Sequence, residues 1–257
     1  MTGQTLRLLS YNVQVGISTR RPHHYVTHSW KHLIPHNQRL QNLEKVANLI
    51  RGFDIIGLQE VDAGSIRSNY INLVEYLAYQ AGFPYWYHQV NRNLGRFAQH
   101  SNGLLSHFHP AEVSDINLPT IIPGRNAILA RFGSRENSLA VIVVHLSLGT
   151  RARNKQLAYV SEVINQHKHA IVMGDMNCKM DSKEMRHMFC NTDLCVPKEE
   201  IFTFPSWRPQ HHIDHILVTP ELKIKEAKVL SHPCSDHLPI MMEISVPDDI
   251  ELTRRAA

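Results

Sequence analysis

The sequence predicts an α/β (α+β) fold in which two packed β-sheets carry helices on their outer faces. Two observations predict it. Strand-like apolar runs alternate with helical segments in the first and third quarters of the chain and cluster elsewhere, which suits two packed sheets better than one doubly wound sheet. The 257 residues are 43% hydrophobic, enough to bury a sizeable core in one domain. Residues 1–257 are read as that domain, with a core from about 6 to 246.

Leu6 to Val13 reads as a buried strand, followed by a polar insert from Gln14 to Gln38. Leu40, Leu43, Val46, Ala47 and Ile50 then mark one face of an amphipathic helix that Gly52 closes. Asp54 to Leu58 is a short buried strand ending at Glu60. Asn69 to Ala81 reads as a second helix, stopped by Gly82 and Pro84. Tyr85 to Val90, Gly103 to Ser106, Ala127 to Phe132 and Leu139 to Leu146 read as strands. Arg153 to Gln166 reads as a helix, Ala170 to Met173 as a buried strand, and Ile213 to Val218 and Pro239 to Ile244 close the series. The charged tail from Pro247 to Ala257 is expected to fray.

Lys plus Arg is 27 against 23 Asp plus Glu, a formal charge of +4. This weak basic bias suits an anionic substrate but falls short of the clustered excess of a dedicated nucleic-acid binder. None of the four cysteines forms a CxxC pair, so reduced thiols and a cytoplasmic location are expected. No apolar run reaches the length of a membrane span. A monomer is the expected state.

Short polar motifs sit at the ends of the apolar runs: Ser10-Tyr11-Asn12-Val13, Leu58-Gln59-Glu60-Val61, Ser101-Asn102-Gly103, Val144-His145-Leu146, Gly174-Asp175-Met176-Asn177, Ile213-Asp214-His215 and Ser235-Asp236-His237. Together they supply the carboxylates, amides and imidazoles of metal-assisted phosphoester hydrolysis, which needs a cation on the phosphate, a base for water and donors for the transition-state oxygens. Glu60, at a strand exit, is a hard oxygen ligand suited to Mg²⁺; the other reading is a surface carboxylate. Asn12 has the choice of a metal, a metal-bound water, a phosphate or a turn. Asp175 and Asn177 are two apart and face one way in an extended segment. Asp214 lies on an apolar strand and needs a partner, which His237 can be, with Asp236 beside it; a carboxylate that fixes its tautomer suits His237 to act as a general base, activating water together with Asp175. His145 lies inside an apolar strand, as either a satisfied core histidine or a phosphate donor.

The motif series resembles the endonuclease/exonuclease/phosphatase superfamily, the DNase I-like fold, over about Leu6 to Ile244. The resemblance implies a four-layer α/β/β/α sandwich with mixed sheets and a site at one end. It implies Mg²⁺, with Mn²⁺ as a substitute, bound by Glu60 with Asn12 nearby and Asp236 in the metal network. Asp175 and Asn177 then act on nucleophile and phosphate, His145 and His237 contact phosphate or act as acid and base, Asp214 orients His237, and Asn102 helps bind phosphate. Gln14 stands where DNA-repair members often carry Asp, and His145 replaces their tyrosine-bearing segment. Both departures favour the branch of sphingomyelinases, lipid-type phosphodiesterases and phosphatases. A Mg²⁺-dependent nuclease on DNA or RNA is the alternative, and a non-catalytic binding protein on the same fold is another. The expected substrate is thus a phosphoester of a lipid, small molecule or nucleic acid.

The insert carries His24, His28, His32 and His36, a helical stripe or a solvated loop, with Arg20, Arg21, Lys31 and Arg39 placed to steer an anion. Arg67 has three readings: a bidentate phosphate clamp, a cap of the following helix region, or a partner of Asp62. Arg92, Arg96 and Arg125 lie on loops read as the same rim.

Overall fold

The computed structural model describes residues 3–16, 37–120 and 124–254. The histidine stripe and Arg20, Arg21 and Lys31 lie outside them. Among the described residues, eleven strands build two mixed sheets. The first contains β1 (Gln4–Asn12), β2 (Ile55–Asp62), β3 (Tyr85–Asn93), β4 (Gln99–Ser106), β10 (Lys223–Val229) and β11 (Ile240–Val246), in the order β10-β11-β1-β2-β4-β3. The second contains β5 (Pro110–Asn117), β6 (Asn126–Gly133), β7 (Ser138–His145), β8 (His169–Asp175) and β9 (Asp214–Val218), in that order. Helices α1 (Asn37–Ile50) and α2 (Leu73–Ala81) cover the first sheet, and α3 (Thr150–Ile164) and α4 (Lys183–Asn191) cover the second. No helix among the described residues is long and apolar enough to cross a membrane.

Alternation along the strands decides which side chains meet. Leu6 and Leu8 of β1, Ile55 of β2, Leu104 of β4, Ile128 and Ala130 of β6, Val141 and Val143 of β7, Ile171 and Met173 of β8 and Ile216 and Val218 of β9 form the layer between the sheets. Leu9, Tyr11, Ile56 and Leu58 face the other way, onto Leu43, Val46, Val74 and Leu77 of α1 and α2. Ala140, Ile142, Ala170 and Val172 likewise pack on Leu157, Val160 and Met185 of α3 and α4. Counting by twos from the inter-sheet residues reaches Asn12, Asn102, Asn126, His145, Asp175 and Asp214. At one end of the sandwich, then, the inward positions change from aliphatic to polar.

Three expectations need correction. The second helix starts at Leu73, not Asn69. The Asn72 side chain caps it by accepting from Val74 N at 3.0 Å, and Asn69 and Tyr70 before it adopt left-handed backbone (φ 54° and 61°). Strands β5 and β10 and helix α4 are additional to the predicted elements. Both strands are sheet edges, with a largely solvated, charged pattern that hides the strand period. The tail is docked as far as Arg254. Ile250 is buried in the inter-sheet core, His109 N donates to Thr253 O at 2.8 Å, and Arg254 pairs with Asp54 while lying 4.8 Å over the Phe108 ring.

Gly174, one residue before Asp175, has φ 147°, and a Cβ there would lie 1.9 Å from the Val144 carbonyl oxygen. Gly174→Ala is therefore predicted to cost more than about 3 kcal/mol. Urea unfolding checks this; an unchanged midpoint would contradict the close approach of β7 and β8.

Candidate active site

The site forms where β1, β2, β7 and β8 run out and β9 begins. Asp175 is its centre. In the ladders it pairs with His145 of β7 on one side and Asp214 of β9 on the other. From the opposite sheet, Asn12 Nδ2 donates to Asp175 Oδ2 at 3.1 Å. The same oxygen lies 3.6 Å from His145 Nε2 and 3.9 Å from His237 Nε2. His145 Nε2 is also 3.8 Å from Glu60 Oε1.

Glu60 reaches the site through a β-bulge: the β2–β4 register shifts between Leu58 and Val61, and Glu60 itself has φ 53°. A bulge re-aims a side chain, and here it turns Glu60, 32% exposed, to the mouth of a cavity. Gln14 (φ 44°) and Asn177 (φ 52°) share this left-handed backbone. Three such residues in one cluster mark it as a place where backbone strain is held for geometry.

Hydrogen bonding assigns the tautomers. Arg125 Nη1 lies 2.8 Å from His145 Nδ1. A guanidinium only donates, so Nδ1 accepts and the proton of neutral His145 sits on Nε2, aimed at Asp175 and Glu60. Burial, reinforced by Arg125, pushes the His145 pKa well down and keeps the ring neutral. His237 is the opposite case. Burial opposes its charge, but Asp214, whose Oδ2 lies 2.8 Å from Nδ1, overrides burial and raises the pKa to about 10. The Asp214 carboxylate thus favours the imidazolium form of His237. Thr203 Oγ1 donates to the same Asp214 oxygen. Burial, then Asp214, raises the Asp175 carboxyl pKa. Burial, then Asp236, raises that of Glu60.

The other predicted residues divide. Asp236 stands in the same cluster, accepting from Gln14 Nε2 and Ser235 Oγ, both at 3.1 Å. Asn177 donates its backbone N–H to Asp175 Oδ1 and its amide to Leu146 O, both at 2.9 Å, so it braces Asp175. Asn102 is fully buried, and its amide donates to Asn126 O at 3.0 Å; it holds the head of β6. Arg67 is corrected. It is 2% exposed and paired with Asp62, whose oxygens also accept from Ser65 and Ser68, so the pairing forms rather than the phosphate clamp. Arg39 is buried too and does not steer ligands from a rim. Arg125 as partner of His145 and Thr203 as partner of Asp214 were missed. Neither contact leaves a spacing signal, because each joins an irregular loop to a distant strand.

Four carboxylates, Glu60, Asp175, Asp214 and Asp236, meet here against Arg125 and His237. Such a donor set fits a divalent cation. Asp175, Asp214 and His237 offer ligand atoms within 4.8 Å of one another, but Asp214 already accepts from Thr203 and His237. Glu60, open to the cavity, can take a hydrated ion such as Mg²⁺ without breaking those bonds.

The neutral histidines also set an acid limit. Burial lowers the pKa of His145 and His215, and takes His100 to about 4 and His212 to about 3. Such groups contribute fully above the unfolded value of 6.5 and lose that contribution as pH falls, because the unfolded chain then binds protons the folded one refuses. Asp175 and Glu60, raised, oppose this over the same window. His237, also raised, is constant there, since its contribution is whole below 6.5 and lost only toward about 10. In EDTA, stability is predicted to fall from pH 6.5 to 4.5 by at least about 1.4 kcal/mol per unit. Chemical denaturation across that range checks it; a flat profile would contradict the neutral histidines.

A profile of the endonuclease/exonuclease/phosphatase family matches residues 9–237. Solved structures share the fold at low identity. An endonuclease/exonuclease/phosphatase from Beutenbergia cavernae superposes with TM-score 0.74 at 16% identity, covering 95% of this chain and 72% of that one. The Bacteroides thetaiotaomicron mannosyl-6-phosphatase gives 0.70 at 18%, over 93% and 99%. Sphingomyelinase C from Streptomyces griseocarneus gives 0.68 at 13%, over 93% and 99%. No curated protein matches the chain. With the match covering residues 9–237 and so every strand end that feeds the site, the chain belongs to the endonuclease/exonuclease/phosphatase family.

Proposed function

We propose that the chain is a divalent-metal-dependent phosphoester hydrolase acting on a lipid or small-molecule phosphodiester or phosphomonoester. The observation that carries this reading is the convergence on Asp175 Oδ2 of one amide and two imidazoles, at 3.1, 3.6 and 3.9 Å. Structural likeness to a mannosyl-6-phosphatase and a sphingomyelinase C supports it.

The electrostatics divides the work. Asp175, its carboxyl raised toward neutrality, takes a proton from the attacking water. Its backbone brace from Asn177 and its bond from Asn12 fix which lone pair faces that water. The new P–O bond forms as the bond to the leaving oxygen breaks, and the His237 imidazolium gives its Nε2 proton to that oxygen. Asp214 keeps the ring oriented and charged until then. Neutral His145 donates Nε2–H to a non-bridging oxygen as negative charge grows there. Glu60, with Asn12 and Asp236 around it, would hold the divalent ion, which supplies charge neutralisation on the phosphate.

Asp175→Asn, His237→Ala and Glu60→Gln are each predicted to lower kcat by roughly 10²–10⁴-fold with the fold retained, and EDTA to abolish turnover. The assay is hydrolysis of bis(4-nitrophenyl) phosphate, sphingomyelin, phosphoinositides and DNA or RNA with Mg²⁺ or Mn²⁺. Full activity of purified His237→Ala would remove the proton-donor assignment.

A further inference from the structure

The cavity beside the site has a volume of about 570 Å³, sufficient for a small-molecule substrate group. Glu60 and His145 line it where it meets the catalytic cluster, and Arg92, Arg125 and Arg151 line it elsewhere. Glu60 is the one acid among its described lining residues.

This cationic wall is built, not incidental. The Asn126 backbone is gripped on both sides by the first sheet: its N–H donates to Asn91 Oδ1 at 3.2 Å and its carbonyl accepts from Asn102 at 3.0 Å. That grip fixes the neighbouring Arg125. Gly124, at φ 128°, lets the chain lie against Arg92, whose Cβ would come within 3.2 Å of any Cβ there. Arg92 and Arg125 are thereby brought close enough for their charges to repel. Arg92 and Arg151 form no ion pair with a described residue. Once Glu60 is committed to a cation, the cavity carries an excess of positive charge. Like charges are held together at a cost that a bound anion removes.

We propose that this cavity receives a second phosphate, so that the substrate is a small molecule bearing one phosphate at Asp175 and another against Arg92, Arg125 and Arg151. The assignment rests on the hydrolase reading of the same site and narrows it. A quaternary ammonium group, by contrast, would be repelled by the same wall.

Binding tests it without turnover. Dissociation constants for adenosine 3′,5′-bisphosphate, AMP and phosphocholine are measured by calorimetry with Ca²⁺, on the full chain and on Arg92→Gln/Arg151→Gln. The bisphosphate is expected to bind at least about tenfold tighter than AMP, with phosphocholine weakest. The double variant, folded by circular dichroism, is expected to reduce that preference to under about threefold. Equal affinities, or a preference the variant retains, would overturn the second-phosphate site. A single-stranded oligonucleotide binding tighter than the bisphosphate would overturn the small-molecule assignment. Hydrolysis of bis(4-nitrophenyl) phosphate, followed in parallel, reports on the hydrolase reading separately, since that diester has no second anion.

Discussion

One hydrogen bond across the sandwich organises the site: Asn12 Nδ2 to Asp175 Oδ2, between residues 163 apart in sequence. It forms only because Leu8 and Met173, on the same faces of their strands, pack in one core layer between the sheets. The aliphatic core sets the spacing, and the two polar residues inherit it. Slipping either strand by one residue would turn that side chain toward a helix. Fold and chemistry thus share a single register.

Burying so much charge is costly unless each group has a partner. Here the partners also assign the protons. Arg125 holds His145 neutral with Nε2 as donor, while Asp214 holds His237 charged. Two histidines facing one carboxylate oxygen are therefore biased in opposite directions, His145 toward the neutral ring and His237 toward the charged one. Asp175 bears the remaining cost in its raised pKa. The left-handed backbone at Gln14, Glu60 and Asn177 is the same trade in another form, strain accepted so that side chains point inward from strand ends.

Much of this was legible in the sequence because inward-facing strands advertise themselves. Val141-Ile142-Val143-Val144 and Ala170-Ile171-Val172-Met173 are buried on both faces, so the polar residues that follow them stand out. The pairing of Asp214 with His237 followed from an acid flanked by apolar residues. Other contacts had no such trace. Edge strands β5 and β10 lack an apolar face to reveal their period. Arg67 carried several chemically reasonable readings, and only the fold, by burying it on Asp62, separates them. Asn102 matched a family position, yet its amide serves the loop that presents Arg125. Thr203 and Arg125 act from irregular segments, where sequence distance says nothing about space.

The most direct measurement of the central claim is a crystal structure with Mn²⁺ and inorganic phosphate, the metal located by its anomalous signal. The account predicts one phosphate within about 3 Å of both His145 Nε2 and His237 Nε2, with the ion held by Glu60. Phosphate bound away from these imidazoles, or an ion seated apart from Glu60, would contradict it.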